Sequence, residues 1–310
     1  MFNAQAFLRR SVQGLASAAA VAALSLAVLV APAASAEGLT DLTKQTQLTP
    51  SFKVDDKARA LLPEDVRTSG KMPVAMAVGI APINFPGNTS AEVRGLTPDL
   101  VSALEQILGV TFETNVFPST AAQLLALDSG QVKLTVSTNG DTPERQKKYD
   151  FVDYIVSRNS IVVAKGNPAG IAAAKDLCGK AYGEVKGAFS VLPAIAAVCE
   201  REKLPAPNLS SFDDAPSMML ALMSRRIDAY AGSTFNTIFQ QSQGAQVEDV
   251  PLPEAGTLLL GMTVAKQNGG ITQAVDAALK VMVADGYYKK ALEHWGLGDF
   301  AIEPGVNLAK

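Results

Sequence analysis

Residues 137–151, STNGDTPERQKKYDF, collect hydrogen-bonding groups in one short run. The apolar stretch Val132–Val136 leads into Ser137, Thr138, Asn139 and Gly140, then a Thr-Pro step and Arg145. Small hydroxyls and unhindered backbone offer hydrogen bonds, and a guanidinium presents a planar fork that matches a carboxylate. Other strand-like runs end in groups of the same character. Asn84 and Phe85 follow a run ending near Ile80. Lys186, Gly187, Ala188, Phe189 and Ser190 follow KAYGEV, where a helix is expected to begin, and Gly232, Ser233 and Asn236 follow RIDAYAG. Free N–H groups at a helix start attract anions. The combined chemistry suits recognition of a small anionic or zwitterionic molecule.

Each residue also has a plainer reading. Taken alone, Arg145 reads as a surface residue paired with Glu144 or Asp150. Gly187 reads as a turn residue, Phe85 and Phe189 as core, and Ser233 as a helix cap. Met218, Met219 and Met223 read as packing, and Lys147-Lys148 as a solvated face. The single histidine, His294, has no placed acid or nucleophile and makes no catalytic set. One histidine and two distant cysteines give no metal-ligand cluster, so no metal or cofactor is expected.

The elements that must hold these groups begin late in the chain. Arg9 and Arg10, the uncharged Leu15–Val30 and the small-x-small Ala34-Ser35-Ala36 form the three-part pattern of a secretory signal peptide over residues 1–36. Its removal leaves 274 residues with a net charge of about −5, enough chain for two domains and too acidic to suggest nucleic acid. Residues 37–70 read as a flexible or loosely docked segment with a short helix near Ala58–Leu62. Order is expected from Met72: a buried strand (PVAMAVGI), a helix capped by Thr97 with Pro98 and Asp99 in its first turn and Gly109 at its end, and a strand at VTFETNVF. A helix capped by Ser119 and the strand 132–136 complete a β-α-β-α-β unit, which implies a mainly parallel sheet. A second half repeats the pattern: strand 180–185, helix 189–202, a helix capped by Asp213 or Asp214, strand 226–232, strand 257–266, and a helix pair turning at Gly286. In open α/β sheets ligands bind beyond the carboxyl ends of strands, which is where these polar groups fall. An exported chain meets an oxidising compartment, so Cys178 and Cys199 are expected to form a disulfide.

Five ordered segments carry a family resemblance: GLTPDLVSALEQILGV, LLALDSGQVKLTVSTNGDTPERQKKYDFVDY, DLCGKAYGEVKGAF, ALMSRRIDAY and ADGYYKKALEHWGL. Together, over roughly 71–298, they resemble the extracellular solute-binding proteins of bacterial ABC importers that serve polar amino acids. The resemblance implies an α/β, two-lobed periplasmic-binding-protein-like fold of the Venus-flytrap kind, with two hinge-crossing strands near 156–160 and 258–262. It implies one lobe from 71–157 plus 261–310 and another from 158–260, closing on a ligand. It assigns the ligand carboxylate to Arg145 of the T-x-E-R motif, assisted by Ser137, Thr138 and Gly140. It implies a periplasmic monomer delivering an amino acid or related carboxylate to a permease in the inner membrane. Three departures stand out. Ser233 replaces the aspartate that holds a ligand ammonium, the G-T-T turn is Gly187-Ala188-Phe189 with Ser190 next to it, and Asn84 stands in a changed early loop before Phe85. They point to a carboxylate without a standard α-amino group, or to an amino acid in a changed pose. The rival function is an exported cyclohexadienyl dehydratase-like enzyme, for which Glu184 and Asp141 are the nearest acids.

Overall fold

The computed structural model describes residues 41–78, 81–87, 89, 92–117, 119–185 and 190–310. Two short helices, α1 (Asp56–Ala60) and α2 (Glu64–Ser69), precede the first strand, β1 (Lys71–Ala77). The hairpin β2 (Phe85–Pro86) and β3 (Val93–Arg94) leads into α3 (Leu96–Leu108). The cap of α3 is Gly95, two residues before the expected Thr97, and Thr97 itself is buried. Gly109 ends α3 in the left-handed conformation, as expected. Next come β4 (Thr111–Phe117), α4 (Thr120–Asp128) capped by Ser119, and β5 (Leu134–Gly140). The single turn α5 (Pro143–Gln146) carries Arg145 and is capped by Thr142. The 16-residue β6 (Tyr149–Ala164) follows.

The second half contains β7 (Ala181–Val185), α6 (Leu192–Arg201), β8 (Asn208–Phe212) and α7 (Ala215–Met223), the last capped by Asp214. Then come β9 (Ala229–Ser233), α8 (Thr234–Ser242), β10 (Val247–Pro251) and β11 (Thr257–Ala265). The chain finishes through α9 (Gly269–Asp285), α10 (Tyr287–His294) and β12 (Ala301–Val306). Cys178 and Cys199 are bonded to each other, fastening the segment before β7 to α6.

The main path of the sheet runs β4-β1-β5-β11-β6-β9-β7-β8, and β10 and β12 add to β6. β1, β4 and β5 are mutually parallel, as are β7, β8 and β9. Residues Tyr149–Arg158 of β6 pair with β11, and from Asn159 the strand changes partner to β9. One core cluster gathers β1, β5, α3, α9 and α10 around Trp295 and Tyr154. Two others lie around β7 and β9, one centred on Ile195 and Tyr182 and one on Met218 and Tyr230.

Register fixes where the strand ends lie. Gly140 of β5 is opposite Leu260 of β11, which is opposite Ile155 of β6. Ser233 of β9 is opposite Asn159 of β6. Both β5 and β6 are antiparallel to β11, so β5 runs with β6, whereas β9 runs against β6. The carboxyl ends of β5 and β9 therefore point at each other across residues 155–159 of β6. Four residues of strand rise span roughly 13 Å, a gap suited to a small molecule.

Two expectations are corrected by this architecture. Ser137, Thr138 and Asn139 do not lie beyond the strand end at Val136. Pairing with β11 extends β5 to Gly140, and all three are buried. Residues 41–69 are packed rather than loose. Leu42, Ala58, Leu62 and Val66 are buried, and Gln47 and the backbone of Leu48 bond to Asp99.

Candidate functional site

The carboxyl end of β5 is built from the sheet outward. Ala77 at the end of β1 donates its N–H to Ser137 Oγ at 2.7 Å, so Ser137 fastens two neighbouring strand ends. Asn139 holds the layer beneath. Its amide donates to Thr135 Oγ1 (2.7 Å) and Thr263 Oγ1 (3.0 Å) and accepts from Thr120 Oγ1 (3.2 Å). Such a satisfied buried polar set fixes the position of the strand that carries it. Thr138 Oγ1 is buried and has no hydrogen-bond partner among the described residues.

Arg145 comes back over this strand end. The Thr142 hydroxyl accepts from its backbone N–H, and its Nη1 donates to the Gly140 carbonyl at 2.8 Å. Gly140 lets the two approach. A Cβ there would lie 2.9 Å from Leu258 Cδ2 and 3.3 Å from Arg145 Nη1. The surface-pair reading of Arg145 is not realised, because Glu144 pairs with Lys147 and Asp150 with Lys266. Among the described residues no carboxylate pairs with Arg145. Its half-buried guanidinium keeps donors for something else.

The facing strand ends carry different groups. Ser233 caps α8, its hydroxyl accepting from Asn236 N at 3.4 Å. Glu184 at the end of β7 does what sequence reasoning did not assign to it. It accepts from Tyr182 Oη (3.0 Å), Ser190 Oγ (2.7 Å) and the backbone N–H groups of Val191 and Leu192 (3.2 Å each). The first N–H groups of α6 are thus already bonded to a carboxylate of the chain itself. Burial, and then the adjacent Glu184 charge, push the Tyr182 phenol well above its ordinary range, which keeps it a donor.

The remaining predicted residues are distributed unevenly. Asn84 is fully buried, and neither end of its amide has a partner among the described residues. Phe85 is packed in the first core cluster, its ring 5.8 Å from Trp295 and 5.1 Å from Phe239. Gly187 and Phe189 lie outside the described residues. Register places Ser137, Thr138 and Gly140 at one strand end, where the Gly140 carbonyl accepts from Arg145, and Ser233 at the opposing one, while Ser190 donates to Glu184 at the end of β7.

The rival catalytic acids are occupied. Asp141 accepts from Gln146 Nε2 (2.8 and 2.9 Å) and from Ala309 N (3.1 Å). Glu184 caps α6. Sequence reading also missed Asp153, a buried carboxyl on β6 that accepts from Leu308 N at 2.9 Å. No local motif marks it, because its hydrogen-bond partner comes from the closing segment after β12 and the acid beside it, Asp141, follows β5.

An α/β sheet whose two sets of parallel strands aim their carboxyl ends at one gap, joined by strands that cross between them, defines a two-lobed binding protein. The model of the bacterial extracellular solute-binding proteins, family 3, matches residues 72–298, and the chain belongs to that family. It is similar to the L-cystine-binding protein TcyJ of Escherichia coli (strain K12), at 26% identity over 232 residues, covering 74% of this chain and 84% of that one. It is also similar to the arginine-binding extracellular protein ArtP of Bacillus subtilis (strain 168), at 25% identity, covering 74% and 89%. A solved ancestral arginine-binding protein, bound to arginine, superposes with a TM-score of 0.56 at 28% identity, covering 73% of this chain and 98% of that one. The substrate-binding protein AbpA of Streptococcus pneumoniae shares the fold, with a TM-score of 0.58 at 22% identity over 76% and 99%. This chain is a solute-binding protein of the kind that serves ABC importers, a family that works outside the cytoplasmic membrane. Among the described residues no helix is long and apolar enough to cross a membrane.

Proposed function

We propose that the chain is exported to the periplasm on the signal peptide of residues 1–36. There it traps a small carboxylate-bearing solute, an amino acid or close relative, between two lobes and presents it to an inner-membrane permease. The lobes are 71–157 plus 261–310 and 158–260, and the protein works as a monomer. The carrying observation is Arg145: a half-buried guanidinium held on the Gly140 carbonyl at the end of β5 and paired with no carboxylate among the described residues. Thr138 and Gly140 line the same end, with Ser190 and Ser233 opposite. Relatives named for cystine, arginine and glutamine support an amino-acid ligand.

A thermal-shift screen of the mature protein against amino acids and simple carboxylates tests this reading. A ligand at about 100 times its Kd stabilises the native state by roughly 2.7 kcal/mol. The expected result is a shift that Arg145→Ala abolishes, with the ligand recovered unchanged. Consumption of the ligand would instead favour the enzyme reading, and a shift that survives Arg145→Ala would reject the clamp.

A further inference from the structure

Arg145 sits on a stretch of chain that has no apolar burial to hold it. Residues 141–148 carry the chain from the end of β5 to the start of β6, past the intervening β11. Their sequence is DTPERQKK, and its one apolar residue, Pro143, is exposed. The helical turn within it, α5, is four residues long and buries none of them. A lone turn fixes many dihedrals for few hydrogen bonds, so it forms only where tertiary contacts hold it. The Thr142 cap shapes the backbone around Arg145 but belongs to the same stretch. Hydrogen bonds to the rest of the molecule must therefore hold the crossover, and most of them meet at Gln146 and Asp141.

Gln146 Nε2 donates to both oxygens of Asp141, at 2.9 and 2.8 Å, and to the Ala309 carbonyl at 3.0 Å. All three are acceptors, so only the NH₂ end of the amide fits there. Asp141 is buried; its carboxylate accepts from Ala309 N at 3.1 Å, and its own N–H donates to the Leu259 carbonyl of β11 at 2.8 Å. The segment 307–309 is anchored in turn on β6. Leu308 N reaches Asp153 Oδ2 at 2.9 Å, and Asn307 N reaches the Phe151 carbonyl at 2.9 Å. The Asn307 side chain accepts from Phe151 N at 2.8 Å and donates to Asp150 Oδ1 at 3.0 Å. Its backbone is left-handed, at φ 53°, a conformation that asparagine tolerates better than most residues. The family match ends at residue 298, so this anchor lies outside the matched region.

We infer that Gln146 is a positioning residue for Arg145: it fastens the crossover to Asp141 and to the closing segment 307–309, which keeps the guanidinium on the Gly140 carbonyl with donors left for a solute. The effect on binding rests on the Arg145 reading above, whereas the fastening of the turn needs no solute. What the site asks of residue 146 is a donor of sufficient reach. Bulk alone does not serve, because a side chain of the same size that offers only acceptors faces two carboxylate oxygens and a carbonyl.

The test compares the mature protein with Gln146→Ala, Gln146→Glu and Gln146→Lys at neutral pH. The first removes the side chain, the second keeps its size without a donor, and the third keeps a donor. Hydrogen-exchange mass spectrometry of the peptide spanning 141–148, without solute, reads the turn itself. Exchange is expected to be about tenfold faster in Gln146→Ala and Gln146→Glu and close to the unaltered rate in Gln146→Lys. Titration calorimetry with L-arginine, L-glutamine and L-cystine as probes reads the consequence. For each probe that the unaltered protein binds, affinity is expected to fall about tenfold in the first two variants and to be kept in the third. Unchanged exchange in Gln146→Ala means that the crossover holds without this residue and overturns the inference. Gln146→Glu behaving like the unaltered protein reduces residue 146 to a space-filler and overturns it too. So does faster exchange with full affinity, where Arg145→Ala abolishes binding. If Arg145→Ala leaves probe binding intact, the carboxylate reading fails separately, and the order of exchange rates alone decides whether Gln146 holds the turn that carries Arg145.

Discussion

Asp141 and Asp153 lie together beneath the segment that follows β12, and each accepts one of two consecutive backbone N–H groups. Leu308 N reaches Asp153 Oδ2 at 2.9 Å, and Ala309 N reaches Asp141 Oδ2 at 3.1 Å. Gln146, next to Arg145 in sequence, donates to Asp141 and to the Ala309 carbonyl at 3.0 Å. The turn that carries Arg145 is therefore tied to the crossing strand β6 through two buried carboxyls and one strap of chain.

Burial, and then the nearby Asp141, push the Asp153 carboxyl up to about 7. An unfolded aspartate titrates near 4. Between these values the native state binds more protons than the unfolded chain, so this group's contribution to stability declines as pH rises through that window. Each unit of separation corresponds to about 1.4 kcal/mol. Urea unfolding of the unaltered protein and of Asp153→Asn at pH 4.5, 6 and 7.5 measures the contribution. The stability of the unaltered protein relative to the variant is expected to fall with pH. A difference that grows toward pH 7.5 would contradict the protonated assignment.

How much of this was legible depends on the range of the interaction. Ser119, Asp214, Gly109 and Gly286 terminate helices where their local chemistry put them, and each signal lies within one turn. The T-x-E-R run located Arg145 because its backbone is set by its own cap, Thr142. Ser137–Asn139 read as residues beyond the strand because small polar residues look like loop, and only pairing with β11, more than 100 residues later, makes them strand. Asp99 looked like an ordinary first-turn acid, but Trp295 and Gln47 meet it from both ends of the chain. The Asp141–Asp153 pair and the Glu184 cap likewise have partners that spacing does not reveal.

Gly140 offers a second prediction, because its lack of a side chain is what lets Arg145 fold against its carbonyl. A methyl group there would press on Leu258 and on the guanidinium. Gly140→Ala is expected to lower ligand affinity about tenfold, roughly 1.4 kcal/mol, while thermal stability changes little, since Leu258 is a flexible side chain. Unchanged affinity in calorimetry would show that Arg145 need not sit where it does.

The disulfide can be tested separately from the site. Cys178 and Cys199 are 21 residues apart in sequence, and closing a loop of that size is worth about 3 kcal/mol in the chain-entropy model. The double variant Cys178→Ser with Cys199→Ser is expected to lose about that much in denaturant unfolding. Ligand affinity is expected to persist, since the cross-link ties the segment before β7 to α6 and touches none of the groups that hold Arg145. Loss of ligand affinity at temperatures where the variant is still folded would mean that the cross-link also shapes the binding site.

The segment before β1 lies outside the family match yet is held by groups within it. Asp99 is buried and accepts from Gln47 Nε2 (2.6 Å), Leu48 N (2.8 Å) and Trp295 Nε1 (2.7 Å). Gln47 returns an acceptor to Gly95 N at 2.8 Å, and Arg94 Nη1 reaches the Thr43 carbonyl at 2.7 Å. Burial raises the Asp99 carboxyl to about 6 despite these donors. Replacing it with alanine strands a buried indole N–H and a backbone N–H, at about 1–3 kcal/mol for each orphaned donor. Asp99→Ala is therefore expected to release residues 41–52 before the sheet unfolds. Limited trypsin digestion reads this out directly, because Lys44 lies within the docked stretch and Lys53 directly after it. Faster cleavage at Lys44 in the variant, with the 72–298 body intact, is the expected outcome. Equal cleavage rates in the two proteins would mean that Asp99 does not hold the segment, and that its buried charge is tolerated for another reason.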